Sequence, residues 1–173
     1  MADDPTAGDL GVELASLAWI RGDLESALVH AEEAQRWFET LGDERGLAES
    51  LMSRGTANRL AGRYPFALDL YEQAASAFER MELWGPAGKC RNNMGVCRYL
   101  DGDADGAAEE WSQAMRIAEL TGELTERIIL SNNVGFVRQE RGQLERARVV
   151  FEEGLRLSRA AAARRLTAVI EGN

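Results

Sequence analysis

Several residue types that catalysis and nucleic-acid binding depend on are scarce in this sequence of 173 residues. Histidine occurs once, at His30, and cysteine twice, at Cys90 and Cys97, and they form no cluster with the spacing of metal ligands. Lysine also occurs once, and an excess of carboxylates gives a formal charge of -9. An acidic chain lacks the basic surface that nucleic acids and anionic membranes require. We therefore expect no nucleic-acid or membrane partner, no metal or cofactor, and no enzymatic activity.

Long apolar runs are also missing. No stretch approaches the ~20 residues that a membrane-spanning helix needs, and the first residues do not resemble a signal peptide. The two cysteines lie seven residues apart on one predicted helix, which places their Cα atoms about 10 Å apart, beyond disulfide reach. We expect both to be small, half-buried hydrophobic side chains in a reducing, cytoplasmic environment.

The most informative feature of the sequence is a repeat of forty residues. The stretch 92–102, which begins Asn-Asn-Met-Gly, has a similar counterpart at 132–142, and weaker counterparts lie at 52–62 and 12–22. A fixed period of this length without a gap indicates a helical repeat array. Each repeat reads as two helices, because a glycine ends one apolar-periodic segment and an acidic residue commonly starts the next. The predicted helices are about 9–21, 24–40, 44–61, 64–80, 87–101, 104–120, 124–141 and 144–170.

Columns of residues forty apart indicate how the two helices of each unit pack. One column is small (Ala15, Gly55, Gly95, Gly135), and another is mostly aromatic (Ala31, Tyr71, Trp111, Phe151). We expect the small column to mark close helix approach, so that Gly95 and Gly135 tolerate alanine but not leucine. We expect the aromatic column to fill the gap between successive units.

These columns resemble those of the tetratricopeptide repeat (TPR), in the long-repeat branch of kinesin light chains, GoLoco-binding adaptors and bacterial regulator sensor domains. The family's usual proline near the repeat end is absent; Glu39, Glu79, Glu119 and Arg159 stand there. The resemblance implies an all-α, right-handed superhelix of four antiparallel hairpins at about 9–42, 43–82, 83–122 and 123–158. A flexible tail, 1–8, would precede them. A capping extension, 159–173, would follow as part of an extended terminal helix, with an apolar stripe of Leu155, Ala162, Leu166 and Val169.

The resemblance also implies a binding groove on the concave surface, where the family's first helices bind ligands. The corresponding positions here are Trp19, Met52, Arg59, Lys89, Asn92, Asn93, Val96, Tyr99, Asn132, Asn133, Phe136 and Gln139, with Val12, Glu13, Ser16, Ser53, Thr56 and Ile129 beside them. Asn93 and Asn133 match the asparagine that holds the backbone of an extended peptide in long-repeat relatives. A carboxamide suits this role because it offers both a hydrogen-bond acceptor and donors. Hydrogen bonding to a neighbouring helix is the structural alternative for these asparagines.

Two functions remain open at this point. The first is a non-enzymatic protein–protein interaction module that binds an extended peptide or helix in its groove, as the sensor or adaptor part of a bacterial regulatory system. Its affinity would be concentrated in units three and four. The second is a self-associating scaffold, a homo-oligomer formed between the acidic first unit and the basic last helix. Residues 1–50 carry 12 acidic and 3 basic residues, whereas residues 131–173 carry 5 and 8.

Overall fold

The structure is a computed structural model that describes the backbone of residues 5–171 and the side chains of residues 7–162. Within those residues the chain forms eight helices and no strand. They are α1 (Pro5–Ile20), α2 (Leu24–Leu41), α3 (Glu44–Leu60), α4 (Tyr64–Arg80), α5 (Trp84–Leu100), α6 (Ala104–Thr121), α7 (Leu124–Glu140) and α8 (Leu144–Glu171). The helices pair as four hairpins, and each helix contacts the next along the chain. The first helices also contact one another, α1 with α3 and α3 with α5. The result is an all-α superhelix of helical repeats.

Glycines and aspartates set the helix boundaries, as the sequence predicts. Glycines 22, 42, 62, 102, 122 and 142 all have positive φ in the turns between helices. Asp23, Asp43 and Asp103 each accept a hydrogen bond from a backbone N–H of the following first turn. The turn after α4 has no glycine, and Glu82 takes the left-handed conformation there with φ of 58°. The turn keeps the repeat geometry, at the cost of steric strain in a residue with a side chain.

The N-terminal helix begins earlier than the sequence analysis predicts. Residues 5–8 were expected in a flexible tail, but α1 starts at Pro5. Pro5 suits the first position of a helix because its missing N–H would be unpaired there in any case. Gly8 is buried, and a Cβ at Gly8 would lie 2.6 Å from the ring of Phe38, so only glycine fits. The α2 ring therefore holds the start of α1 in place.

The glycine column makes room for the aromatic column of the same hairpin. A Cβ built on Gly95 would lie 2.5 Å from Nε1 of Trp111, and one on Gly135 would lie 2.5 Å from the ring of Phe151. Two of our expectations are therefore wrong. Alanine does not fit at these glycines, and the aromatic ring packs on its own unit's first helix rather than only between units. Unit one is consistent with this rule, since Ala15 replaces the glycine where Ala31 replaces the aromatic residue.

The buried core runs along the stack rather than around one centre. One cluster joins units two and three and includes Tyr71, Phe78 and Cys90. A second joins units three and four around Trp111 and Leu130. At the end of the stack α8 continues without a break to Glu171. The capping role of residues 159–173 remains a prediction, because the side chains of Leu166 and Val169 lie outside the described residues, while Leu155 and Ala162 are exposed.

Candidate binding groove

A concave cleft of about 500 Å³ lies along the first helices of the four hairpins. It is lined by Val12, Ser16 and Trp19 from α1, Glu49, Met52, Ser53 and Thr56 from α3, Phe78 from α4, Pro86, Lys89, Asn92 and Asn93 from α5, and Glu126 from α7. Consecutive first helices stand side by side because each hairpin stacks on the previous one with the same register. Positions forty apart therefore lie in a row across the cleft, and this is why Val12, Met52 and Asn92 share it.

Two polar groups in the cleft have hydrogen-bonding capacity that the protein itself does not use. The hydroxyl Oγ of Ser53 is buried and has no partner among the described residues. The carboxamide of Asn93 is half-buried and makes no side-chain hydrogen bond within the described part of the chain. A buried polar group without a partner costs free energy, which a ligand that supplies the missing hydrogen bond recovers.

The other asparagines are engaged in a hydrogen-bond network. Asn92 donates from Nδ2 to Oε1 of Glu126 at 3.0 Å, and its Oδ1 accepts from Nδ2 of Asn133 at 2.9 Å. Its backbone carbonyl accepts from Nε1 of Trp111 at 3.1 Å. Hydrogen bonding between neighbouring helices, the structural alternative, therefore describes Asn92 and Asn133. Asn93 alone of these three keeps its carboxamide available to a ligand.

Glu126 and Lys89 determine the charge at one end of the cleft. Desolvation by burial raises the pKa of Glu126 above its ordinary value, and the hydrogen bond from Asn92 and the charge of Lys89 partly offset this. Lys89, the one lysine of the sequence, is exposed and lines the cleft. The cleft therefore offers a cation to a ligand, next to a carboxylate that is largely shielded from solvent.

The remaining predicted groove residues lie outside this cleft. Tyr99 donates from its hydroxyl to Oε2 of Glu140 at 2.6 Å, and its ring contacts that of Phe136 edge-on, with centroids 5.7 Å apart. Val96 packs against the second core cluster. Burial raises the pKa of Tyr71 to about 12, although its hydrogen bond with Thr56 and the nearby charge of Arg59 partly offset this.

The last two of these residues lie nearer the C-terminal end. Asn132 is exposed, and Gln139 lines a separate cleft where the stack ends. The structure thus brings together Trp19, Met52, Lys89, Asn92 and Asn93 of the predicted set, and not the aromatic residues of units three and four.

Four residues that line the cleft were not expected: Glu49, Phe78, Pro86 and Glu126. Glu126 is the most important of them, because it fixes Asn92. Its column reads Thr6, Gly46, Pro86 and Glu126, so the repeat gives no signal that a carboxylate is buried there. Phe78 belongs to a second helix, and the family pattern considers first helices only.

The described residues contain no group of three or more histidines, cysteines and acidic residues arranged to hold a metal ion. Cys90 and Cys97 are free, and both are fully buried rather than half-buried. Burial raises the pKa of Cys90 to about 12 and that of Cys97 to about 11, so both thiols stay protonated at neutral pH. Among the helices of the described residues, none combines the length and apolar character needed to cross a bilayer.

Comparison with known proteins gives a consistent result for the fold. The tetratricopeptide-repeat family model matches residues 10–80. The chain is similar to aspartyl phosphate phosphatase F from Bacillus subtilis, with a TM-score of 0.87 and 14% identity over 94% of this chain and 43% of that one. It is also similar to the Rap conjugation gene regulator of a plasmid in complex with a Phr peptide, with a TM-score of 0.73 and 20% identity over 84% of this chain and 40% of that one.

A third similar structure is a putative kinesin light chain from Podospora anserina with nearly identical TPR-like repeats. Its TM-score is 0.73, with 16% identity over 94% of this chain and 80% of that one. The present chain spans less than half the length of the phosphatase and of the conjugation regulator. No protein of curated function matches it in sequence. At these identities the solved structures establish the shared fold and no activity.

Proposed function

We propose that this chain, whose residues 10–80 match the tetratricopeptide-repeat family model, is a protein–protein interaction module that binds an extended polypeptide segment in the concave cleft. The observation that carries the proposal is the Asn93 carboxamide, which is half-buried in an open cleft of about 500 Å³ and makes no side-chain hydrogen bond to the described residues. It supplies an acceptor and donors to a peptide backbone, whatever its sequence.

The walls of the cleft provide the selectivity. Val12, Trp19 and Met52 form an apolar wall that contacts apolar side chains of the segment. Lys89 at the other side binds an acidic side chain or a terminal carboxylate, because it is exposed and lines the cleft. A segment that carries an apolar residue and an acidic one therefore fits best. This site lies in units one to three rather than in units three and four, because Asn92 and Asn133 hydrogen-bond to the protein itself.

A regulatory role is the finer part of the proposal. One structural relative is a conjugation gene regulator in complex with a Phr peptide, and this supports a sensor or adaptor in a bacterial regulatory system. A cytoplasmic location agrees with two free cysteines whose thiols are buried. Another relative carries the name of a phosphatase. At 14% identity that similarity concerns the fold alone, and the proposal is limited to binding.

The test uses a library of random linear peptides displayed on phage, selected against the full chain. Affinities of the selected peptides are then measured by calorimetry for the wild type and for Asn93→Ala. We expect Asn93→Ala to weaken binding about tenfold or more, because the loss of a hydrogen bond in a desolvated contact costs ~1–3 kcal/mol. Its melting temperature should stay unchanged, since Asn93 makes no side-chain hydrogen bond to the described protein.

Asn132→Ala is the matched control, because Asn132 is an exposed asparagine on α7 outside the cleft. It should change neither affinity nor stability. Asn133→Ala should lower stability, since it removes the donor to Oδ1 of Asn92. Selected peptides that bind Asn93→Ala as tightly as the wild type would contradict the proposed site.

A further inference from the structure

We propose that the first helix and the last hairpin of this solenoid bind each other between copies, so that the chain associates head to tail. The first observation concerns α1, which has no hairpin before it in the described chain. Leu10, Leu14 and Leu17 form an apolar stripe on α1, and Leu10 and Leu17 are 55% and 52% exposed. A stripe of this kind on a first helix has a defined counterpart in each later unit.

The counterparts of the α1 stripe are buried in all three later units. Leu10 corresponds to Ser50, Cys90 and Leu130, and each of these is 0% exposed. Leu17 corresponds to Ala57, Cys97 and Val137, which are 2% exposed or less. These positions are buried because the preceding hairpin packs on them. The stripe on α1 is therefore the same inter-unit surface with no hairpin on it.

The complementary surface is open at the other end of the stack. A cleft of about 350 Å³ between α7 and α8 is lined by Gln139, Leu144, Ala147, Arg148, Phe151, Glu152 and Leu155. Leu144 and Leu155 are 64% and 51% exposed. Phe151 is only half-buried, although Tyr71 and Trp111 at the same column are buried where another unit follows. Because α8 continues along its own axis to Glu171, it does not fold back over this cleft.

The repeat register predicts which residues meet when one copy follows another as a further unit. Arg54 donates to Oε1 of Gln35 across the boundary between units one and two. Gln35 corresponds to Leu155 three repeats later. The residue that would face Leu155 in a following unit corresponds to Arg54, and in the first unit of the next copy it is Leu14. The same boundary column holds Met115 and Val134, which pack in one apolar cluster between units three and four. A leucine pair at this position continues the pattern.

A second boundary contact gives an ion pair. Arg141 pairs with Asp105 across the boundary between units three and four. Asp105 corresponds to Glu145 in unit four, and Arg141 corresponds to Arg21 in unit one. Glu145 of one copy would therefore lie opposite Arg21 of the next. Glu145 and Arg21 are both exposed. Glu145 pairs with Arg148 on its own helix, so it would share its carboxylate between Arg148 and Arg21 of the next copy. The register thus predicts one apolar contact and one ion pair, from contacts already present inside the chain.

The overall charge favours a second copy as the occupant. Residues 1–50 carry 12 acidic and 3 basic residues, and residues 131–173 carry 5 acidic and 8 basic residues. The first unit and the last therefore attract each other over distances of about the Debye length, roughly 10 Å at 0.1 M salt. The contact is heterologous, so successive copies extend into a chain or close into a ring.

The test measures mass by sedimentation velocity for the full chain over about 5 to 500 µM. We expect the wild type to exceed its 19.1 kDa monomer mass increasingly with concentration, and less so at about 0.5 M salt. Leu17→Glu and Leu155→Glu should each stay monomeric, because each removes one of the two faces. Leu120→Glu is the matched control, since Leu120 is exposed but lies on neither of the two faces. It should associate like the wild type.

Mixing the two variants gives the most specific result. Leu155→Glu retains the α1 face and Leu17→Glu retains the α7–α8 face, so an equal mixture should form a dimer that grows no further. The exchange Glu145→Arg with Arg21→Glu should restore the association that either change alone weakens. Asn93→Ala should have no effect on mass, so failure of this proposal and failure of the peptide cleft are distinguishable.

Three outcomes would overturn the proposal. A wild type that remains a monomer up to the highest concentration would show that neither face binds the other. A mixture of the two variants that stays monomeric would exclude a head-to-tail contact. Association that appears only after deletion of residues 160–173 would show that the extension caps the face, as the sequence analysis predicts. The head-to-tail proposal competes with that prediction, because α8 is one unbroken helix to Glu171, and it requires the deletion to leave association unchanged.

Discussion

At the residue scale, Glu126 shows how the cleft keeps a carboxylate away from solvent. Burial raises its pKa, while the hydrogen bond from Asn92 opposes that rise. A carboxyl group whose pKa is higher in the folded than in the unfolded state binds its proton more tightly when folded. Its contribution to the free energy of unfolding is therefore largest at low pH. It is lost as the pH rises from the ordinary pKa of 4.5 through the raised folded value.

Glu126→Gln should stabilise the protein at pH 7 and make no difference below about pH 4, where the wild-type carboxyl is protonated in both states. The glutamine Oε1 still accepts the hydrogen bond from Asn92. Urea denaturation at the two pH values measures the difference. Glu72→Gln, which changes an exposed carboxylate of α4, is the control and should have little effect at either pH. A loss of stability at pH 7 would mean that the charge of Glu126 is favourable where it lies.

Glu82 has a strained backbone conformation that can also be tested by substitution. It is the one non-glycine residue with positive φ in residues 5–171, whereas Gly42 and Gly122 occupy the same position in other units. Glu82→Gly should stabilise the protein by about 0.5–1 kcal/mol, because relief of the left-handed strain exceeds the added freedom of the unfolded chain. The reverse change, Gly122→Glu, should destabilise by a similar amount. Equal denaturation midpoints for all three proteins would contradict this account of the turn.

At the element scale, the pairing of each first helix with its second depends on one glycine. Gly95→Ala places a Cβ 2.5 Å from Nε1 of Trp111, so the indole shifts and its hydrogen bond to the Asn92 carbonyl weakens. Overpacking of this kind costs ~1–3 kcal/mol. The double variant Gly95→Ala with Trp111→Ala should lose less stability than the sum of the two single variants. Unit one already combines alanines at these two columns, Ala15 and Ala31.

Thermal and urea denaturation of the single and double variants measure that coupling. Gly85→Ala is a suitable control, because its Cβ would meet only a Glu123 side-chain oxygen at 3.4 Å. Additive effects of Gly95→Ala and Trp111→Ala would show that the ring and the glycine do not constrain each other.

At the scale of the whole molecule, the repeat made the fold predictable from the sequence. The period fixed the register, and the glycine stops with their aspartate caps gave most helix ends within about one to three residues. The start of α1 was missed because the reason for it, the ring of Phe38 against Gly8, joins residues thirty apart that belong to two different columns. Contacts between different columns are not visible in a periodic pattern.

The site was only partly predictable for the same reason. Column membership placed Met52, Lys89 and Asn93 on the concave surface, as the cleft shows. It could not decide between Asn93 and Asn133, which share a column, because Asn133 hydrogen-bonds to Asn92, which in turn bonds to Glu126. Which carboxamide remains available depends on these particular neighbours and not on the repeat.

Unit one has Ala31 where the later units have Tyr71, Trp111 and Phe151, and this has a consequence for how the stack opens. At this column the later units each pack a large ring against a glycine, whereas unit one packs Ala31 against Ala15 and has the Phe38 ring against Gly8 only near the start of α1. In a repeat stack, the free energy of local opening varies with the contacts of each unit. Amide hydrogen exchange should therefore be fastest in α1 and α2, and slowest in α4, α5 and α6 across the central clusters. Exchange followed by mass spectrometry over minutes to hours resolves this gradient, and equal protection along the stack would contradict it. Since α1 carries Val12 and Trp19, we expect this wall of the groove to open before the rest, so that a bound segment would leave past α1 rather than along the groove.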